Sequence, residues 1–220
     1  MSIELIEDLG GVWSRPFVTN GDPYKIAGAI IGLNPATPIP TTYVSRKDFY
    51  RLVKNRQDFE AWYEKYRLEI DKRKSSPTRK CLKIIIRCLG EINVVETNVN
   101  AYPAENENEL HDSPHEEAGS KIAKKYLRKI QPKFVIVHTD TALKEVRGLK
   151  FVQLGKLESV THHMNQYVGS RWNDKPMFVF SVPRFARPPK GWSHEAIRES
   201  VSRIMDIVAG EPVKTIRGTV

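Results

Sequence analysis

Four short apolar runs, rich in Val and Ile, constrain the fold of this chain more than any other feature. Each is bounded by turn or polar residues, and they span residues 26–33, 92–98, 134–137 and 177–182. Between and after them lie segments of helical character, at about 45–74, 78–89, 114–130 and 193–209. Strands that are apolar on both faces and alternate with helices are typical of a parallel sheet covered on both sides. We therefore predict a three-layer α/β/α fold with a mostly parallel, four-stranded central sheet.

Several residues predict where the helices begin. Ser76 and Ser113 each precede a proline, and Ser193 precedes His-Glu-Ala, so each resembles a helix cap followed by a first turn. Thr139 follows the third apolar run and predicts a further short helix. The weaker pattern of residues 149–176 predicts at most an additional hairpin.

Composition limits the class of protein. The chain has 220 residues, 40% of them hydrophobic, and we expect residues 1–220 to form one domain with its core at about 26–209. No apolar run approaches the roughly 20 residues that span a bilayer, and the acidic N-terminal stretch is unlike a secretory signal. Cys81 and Cys88 are expected to be core thiols, and no metal or other cofactor is expected. These features favour a cytoplasmic protein.

The formal net charge of +9 favours a polyanionic partner, nucleic acid above all. No lipidation motif is visible, so we expect no membrane partner. Cations are concentrated from Arg46 and Lys47 onward to Lys83, with aromatic residues between them. Two interpretations of these aromatics stay open: they stack on unpaired bases, or they form the buried stripe of a helix whose charged face is solvated.

The first apolar run ends in the segment Gly32-Leu33-Asn34-Pro35-Ala36. An apolar run that stops in Gly-x-Asn-Pro predicts a stiff polar loop at the carboxyl end of a buried strand. Ligands of open α/β sheets bind at such strand ends. Asn34 is then placed to hold a water or the edge of a base, and the alternative is a plain turn after a core strand.

The last apolar run ends at Val182 in a second proline-rich loop. Its prolines restrict the chain, so binding would order it at a smaller entropic cost. The loop carries Phe185 among cations, which suits a wedge that enters a duplex and holds its backbone. Those cations are Arg184, Arg187 and Lys190. The alternative is a rigid connection to the final helix.

Three loops in this order resemble the uracil-DNA glycosylase superfamily, over about residues 26–205. The loop at 32–36 is similar to the first superfamily motif, and closest to the Gly-x-Asn-Pro of the mismatch-type enzymes. The strand that ends in Asn98, with Asn100 two residues on, is similar to the superfamily strand that reads the base edge. The third motif, His-Pro-Ser or Asn-Pro-Ser followed by a wedge residue, corresponds here to Val182-Pro183-Arg184-Phe185. Val182 replaces the motif's His, so the usual partner of the leaving group is missing there.

The resemblance implies a uracil-DNA glycosylase-like fold and hydrolysis of an N-glycosidic bond in DNA. It implies that Asn34 is catalytic and orients a water against a cationic sugar, and that Asn98, or else Asn100, binds the Watson–Crick edge. Tyr43 is placed to stack on the base, and His138, after the third run, is a candidate proton handler. The predicted base pocket also includes Gly32, Leu33, Pro35 and Ala36. The predicted DNA contacts are Arg46, Lys47, Arg184, Phe185, Arg187 and Lys190.

The residue at position 36 indicates how large a base the predicted pocket admits. The uracil-specific enzymes have Tyr at this position, where its ring closes the pocket against a substituent at C5 of the pyrimidine. Ala leaves that volume open for thymine or a larger 5-substituted base, including glucosylated hydroxymethylcytosine of viral DNA.

The sequence therefore predicts a monomeric, monofunctional DNA glycosylase that leaves an abasic site, in DNA repair or antiviral defence. No lysine is clearly placed for Schiff-base chemistry, so strand cutting is not expected. The alternative is a catalytically weak glycosylase-fold module that binds nucleic acid or a nucleotide, which Val182 favours. A Rossmann-type nucleotide enzyme is disfavoured, because no Gly-x-Gly-x-x-Gly follows the first run.

Overall fold

The computed structural model describes residues 3–161, 163–182 and 193–210. Strands in this part of the chain are β1 (Phe17–Val18), β2 (Gly28–Gly32), β3 (Val94–Asn98), β4 (Phe134–Val137), β5 (Val152–Gln153), β6 (Lys156–Thr161), β7 (Met164–Val168), β8 (Arg171–Trp172), β9 (Lys175–Pro176) and β10 (Phe178–Ser181). The α-helices there are α1 (Arg46–Val53), α2 (Arg56–Glu69), α3 (Pro77–Leu89), α4 (Glu107–His111), α5 (Glu116–Leu127), α6 (Asp140–Gly148) and α7 (His194–Ala209). A short 3-10 helix, Ile3–Leu5, precedes them.

The main sheet has the strand order β1-β3-β2-β4-β10-β7-β6. Its central neighbours β3, β2, β4 and β10 are all parallel, and they correspond to the four apolar runs. β1 pairs antiparallel with β3 at one edge, and the β6–β7 hairpin pairs antiparallel with β10 at the other. The α/β class and the mostly parallel sheet are confirmed. The predicted number of four strands is wrong, because the described sheet has seven.

Of the three additional strands, β6 and β7 form a hairpin within residues 149–176, where the sequence weakly predicts one, and β1 escapes prediction. β1 is two residues long, too short to give a pattern. In β7, Met164 and Tyr167 are buried while Asn165 and Val168 are exposed. Buried and exposed residues thus occur on both faces of β7, so this strand gives neither a continuous apolar run nor a regular alternation.

Helices cover both faces of the sheet. Ile31 of β2 belongs to an apolar cluster that includes buried residues of α1, α2, α5 and α6. Its neighbour Ile30 faces the opposite side and belongs to a second cluster, with α3 and α7. Successive strand residues point to opposite faces, so β2 is apolar throughout because each of its faces is packed against helices.

The segment at 45–74 forms two helices instead of one. α1 ends at Val53 and α2 begins at Arg56. Asn55 interrupts them, because its extended backbone and its side chain, which accepts a hydrogen bond from Asp58 N, make it the N-cap of α2.

Most predicted helix starts are confirmed. Ser76 and Ser193 cap α3 and α7 with their side chains, and α6 follows Thr139 directly. α5 begins two residues later than predicted, after His115, which makes no capping hydrogen bond through its side chain. Ser113 instead accepts a hydrogen bond from His115 N and closes a turn ahead of the helix.

Cys81 and Cys88 both lie on α3, partly buried against the second cluster. Burial raises the pKa of the Cys81 thiol. Across the described ranges, no helix is both long enough and apolar enough to cross a membrane.

Candidate functional site

Polar side chains converge where three neighbouring parallel strands end. Asn98 is the last residue of β3, His138 directly follows β4, and Asn34 lies two residues after β2. Gly32 stands between them: a Cβ built on it would lie 2.7 Å from His138 Nε2 and 2.8 Å from Asn98 Oδ1. Because Gly32 has no Cβ, both side chains have room above the end of β2. This edge of the sheet is where α/β proteins bind ligands.

The three side chains line one cavity of about 210 Å³. The sequence-predicted residues that line it are Leu33, Asn34, Pro35, Ala36, Asn98 and His138. Gly32 is buried below Asn98 and His138. In the described residues, no group of three or more His, Cys, Asp or Glu side chains could hold a metal ion.

The loop that carries Asn34 is held on several sides. Asn34 Nδ2 donates to Ala104 O at 2.8 Å and to Pro35 O at 3.1 Å. Ala104 N in turn donates to Pro35 O at 3.0 Å. These bonds fix the amide plane and occupy its donor, which leaves the acceptor Oδ1 to receive a hydrogen bond from a water.

Two predicted pocket residues are placed elsewhere. Asn100 is buried, accepts a hydrogen bond from Tyr102 N at 2.9 Å and donates to Glu116 O at 3.0 Å. It thus connects the chain after β3 to the start of α5 and does not line the cavity. Tyr43 is 42% exposed, also outside the cavity. Its hydroxyl donates to Glu69, and this hydrogen bond raises the pKa of Tyr43 to about 12.

The predicted DNA contacts divide into two groups. Arg46 and Lys47 are exposed in the first turn of α1, and Arg46 Nη2 donates to Ile3 O at 3.1 Å. The other four lie outside the described residues, and they are Arg184, Phe185, Arg187 and Lys190. For the aromatics between the cations, the buried stripe is confirmed at Phe49 and Phe59, which are 0% exposed.

A buried charge network forms one wall of the cavity. Glu96 of β3 accepts from Arg56 Nε at 3.2 Å and pairs with Arg79 Nη1 at 2.5 Å. Burial alone would raise the pKa of the Glu96 carboxyl, but Arg79 and Arg56 outweigh it and hold that pKa below its usual range. Glu96 and Asn98 are two residues apart and both line the cavity. They share one face of β3.

Tyr63 of α2 lies in the same wall, with two more arginines around it. The guanidinium carbons of Arg15 and Arg67 lie 5.1 and 5.8 Å from the centre of its ring. Burial alone would raise the pKa of the Tyr63 phenol. Interactions with Arg15, Thr37, Arg79 and Arg67 outweigh burial and lower that pKa to about 8.

This low pKa predicts a separate ionisation step. In a titration followed by the absorbance of tyrosinate, we expect one phenol to ionise at about pH 8. Tyr63→Phe removes that step. Because the folded-state pKa of Tyr63 is lowered, its ionisation stabilises the native state. This contribution is complete above the unfolded-state pKa of about 10 and is lost as pH falls through about 8. Tyr43→Phe is the control and keeps the step, and a wild-type titration without it contradicts the electrostatics of this wall.

Sequence reasoning missed this arginine-rich wall. Arg67 and Arg79 belong to the basic region, where the sequence predicts a solvated face or a nucleic-acid contact. One signal was present: Glu96 interrupts the apolar run at 92–98. A carboxylate in a buried strand needs cationic partners, although spacing could not say which arginines these are.

Fold and cavity together define a class: an α/β protein with a polar, partly cationic pocket at the carboxyl edge of parallel strands. No protein-family model matches the chain, and no curated protein matches its sequence.

Proposed function

We propose that this protein is a monofunctional DNA glycosylase that hydrolyses the N-glycosidic bond of uracil or a 5-substituted pyrimidine. The convergence of Asn34, Asn98 and His138 in one cavity is the observation that supports this most strongly. A fold like that of uracil-DNA glycosylases belongs to the same proposal, as do action as a monomer on DNA and a cytoplasmic location.

In this proposal Asn34 orients the attacking water. N-glycoside hydrolysis passes through a cation-like sugar, so the water needs a hydrogen-bond acceptor more than a strong base. Asn34 Oδ1 is such an acceptor, and its amide is fixed by Ala104 O and Pro35 O. Asn98 binds the edge of a flipped base through its own amide. Flipping costs a few kcal/mol, and least for a damaged or mispaired base.

His138 supplies the group that Val182 lacks. Negative charge develops on the departing base, and a hydrogen-bond donor near it lowers the barrier. Val182 N donates to Val137 O at 2.9 Å, so Val182 lies beside the residue that precedes His138. The imidazole of His138 therefore approaches the base from the neighbouring strand end, beside Asn98.

The alternative is a catalytically weak module that binds a nucleotide or nucleic acid in the same cavity. Val182 favours it, since the histidine expected at that strand end is absent. Incubation with duplexes carrying uracil, thymine mismatches, or hydroxymethylated and glucosylated cytosine, followed by alkali, separates the two. A glycosylase produces alkali-dependent strand breaks in at least one of these duplexes. Salt-sensitive binding, with no strand breaks in any of the duplexes, supports the binding module instead.

Ala36 predicts the size of base that the cavity accepts. Ala36 lines the cavity and is exposed at its surface. In Ala36→Tyr the added ring fills the space next to C5, so we expect at least tenfold slower release of bulky 5-substituted bases with uracil release retained. Ala36→Ser is the control and keeps the wild-type preference. Equal rates on bulky bases in a folded Ala36→Tyr protein contradict this position for C5.

A further inference from the structure

Arg15 is a buried cation that feels the charge of Glu96 but forms no ion pair with a carboxylate of the described residues. It lies just before β1, is 6% exposed, and lines the cavity. Its guanidinium stacks over the rings of Phe59 and Tyr63, and Nη1 is buried without a hydrogen bond to any described residue. A buried charged donor without an acceptor is strongly unfavourable. Such a group, at the wall of a cavity, is what an anionic ligand would satisfy.

Arg67 also lies against the ring of Tyr63 and lines the same cavity. Its Nη1 donates to Thr37 Oγ1 at 2.7 Å and its Nε donates to Arg73 O at 2.8 Å, and both acceptors are neutral. The buried carboxylate of the cavity, Glu96, is already shared by Arg56 and Arg79. Within the described ranges, no carboxylate forms an ion pair with Arg15 or Arg67.

We infer that Arg15 and Arg67 form an oxyanion subsite in this cavity, which takes a phosphate or carboxylate carried by the ligand. Guanidinium groups bind such oxygens through paired, charge-assisted hydrogen bonds. The identity of the ligand as a pyrimidine rests on the proposed function, but the anion site does not.

The loop after β2, which carries Asn34, runs from the proposed base-binding residues to this subsite. Thr37, the partner of Arg67, directly follows Ala36, and Asn34 lies two residues before Ala36. A base held by Asn98, with Asn34 beside it on the water, would therefore direct a substituent past Ala36 toward the arginines. Such an oxyanion would be either a carboxylate on the base or the phosphate of a nucleotide, and binding of small molecules distinguishes the two.

Titration calorimetry on the full chain, without DNA, tests the subsite. The probes are inorganic phosphate, and 5-carboxyuracil against uracil and thymine. We expect phosphate or 5-carboxyuracil to bind at least tenfold tighter than the neutral bases. If 5-carboxyuracil binds more tightly than uracil and thymine, the oxyanion is a carboxylate on the base. If only phosphate binds more tightly than those bases, the oxyanion is the phosphate of a nucleotide. If neither anion binds more tightly than the neutral bases, the subsite is overturned.

Variants show whether the two arginines are responsible. Arg15→Met and Arg67→Met should each weaken binding of the favoured anion at least tenfold, while Arg51→Met, at an exposed position on α1, should not. Thermal unfolding is the second readout: phosphate should raise the wild-type midpoint relative to chloride at equal ionic strength and leave that of Arg15→Met unchanged. Equal phosphate shifts in both proteins overturn the assignment. Because no step uses DNA or measures base release, failure here is distinct from failure of the glycosylase proposal.

Discussion

Asn34→Ala is expected to lower the single-turnover rate of base release about 100- to 1000-fold, the scale measured when one positioned polar group is removed from an active site. The variant loses the Oδ1 that we propose orients the water, and the loop also loses its donor to Ala104 O. DNA affinity should change little, since in the proposed mechanism this amide contacts the water and not the backbone of the duplex. The measurement is the rate of abasic-site formation with enzyme in excess over substrate.

Two further variants separate chemistry from loop structure. Asn34→Asp keeps an oxygen that orients water but loses the donor to Ala104 O and Pro35 O, so an intermediate rate is expected. Asn165→Ala, at an exposed position of β7 and outside the cavity, should retain the wild-type rate. A wild-type rate for Asn34→Ala contradicts the assigned role.

Glu96→Gln is expected to lower the free energy of unfolding by about 3–5 kcal/mol, because it leaves buried arginines without their shared carboxylate. Arg56 and Arg79 both depend on Glu96, and their side chains are only 8% and 13% exposed. Urea unfolding at neutral pH measures the change. Glu117→Gln removes an exposed pair with Lys121 and should leave the midpoint unchanged.

The effect of Glu96→Gln should depend on pH in a defined direction. The folded-state pKa of Glu96 lies below the usual carboxyl value of 4.5. Its contribution is therefore complete above that value, and it is lost as pH falls through the lower folded-state pKa. The stability difference between wild type and Glu96→Gln should shrink in acid. A difference that stays constant, or grows as pH falls, contradicts the pairing.

The parallel centre of the sheet was predictable because burial on both faces removes polar residues from a strand. β2 and β4 are buried at every position, so their apolar runs are unambiguous. The antiparallel strands were harder to predict: β1 has only two residues, and β7 carries buried and exposed residues on both faces, so its region predicts no more than a hairpin.

The strand-end half of the cavity was predictable from sequence, and the arginine wall was not. Asn34, Asn98 and His138 each follow a recognisable apolar run, and parallel strands bring such ends together. Glu96 and Arg56, by contrast, are 40 positions apart, and only the packing of α2 on β3 makes them neighbours. Asn100 was misplaced because the strand ends at Asn98, after which the alternation of side chains no longer applies.

The most direct test of the central claim is a mass balance of free base and abasic sites. Wild-type protein and Asn34→Ala are incubated with a duplex panel carrying uracil and 5-substituted pyrimidines, and both products are quantified by mass spectrometry. The proposal predicts equal amounts of released base and abasic sites on at least one duplex, with both strongly reduced in Asn34→Ala. Binding of the panel with no base released from any duplex, at enzyme excess, would contradict it.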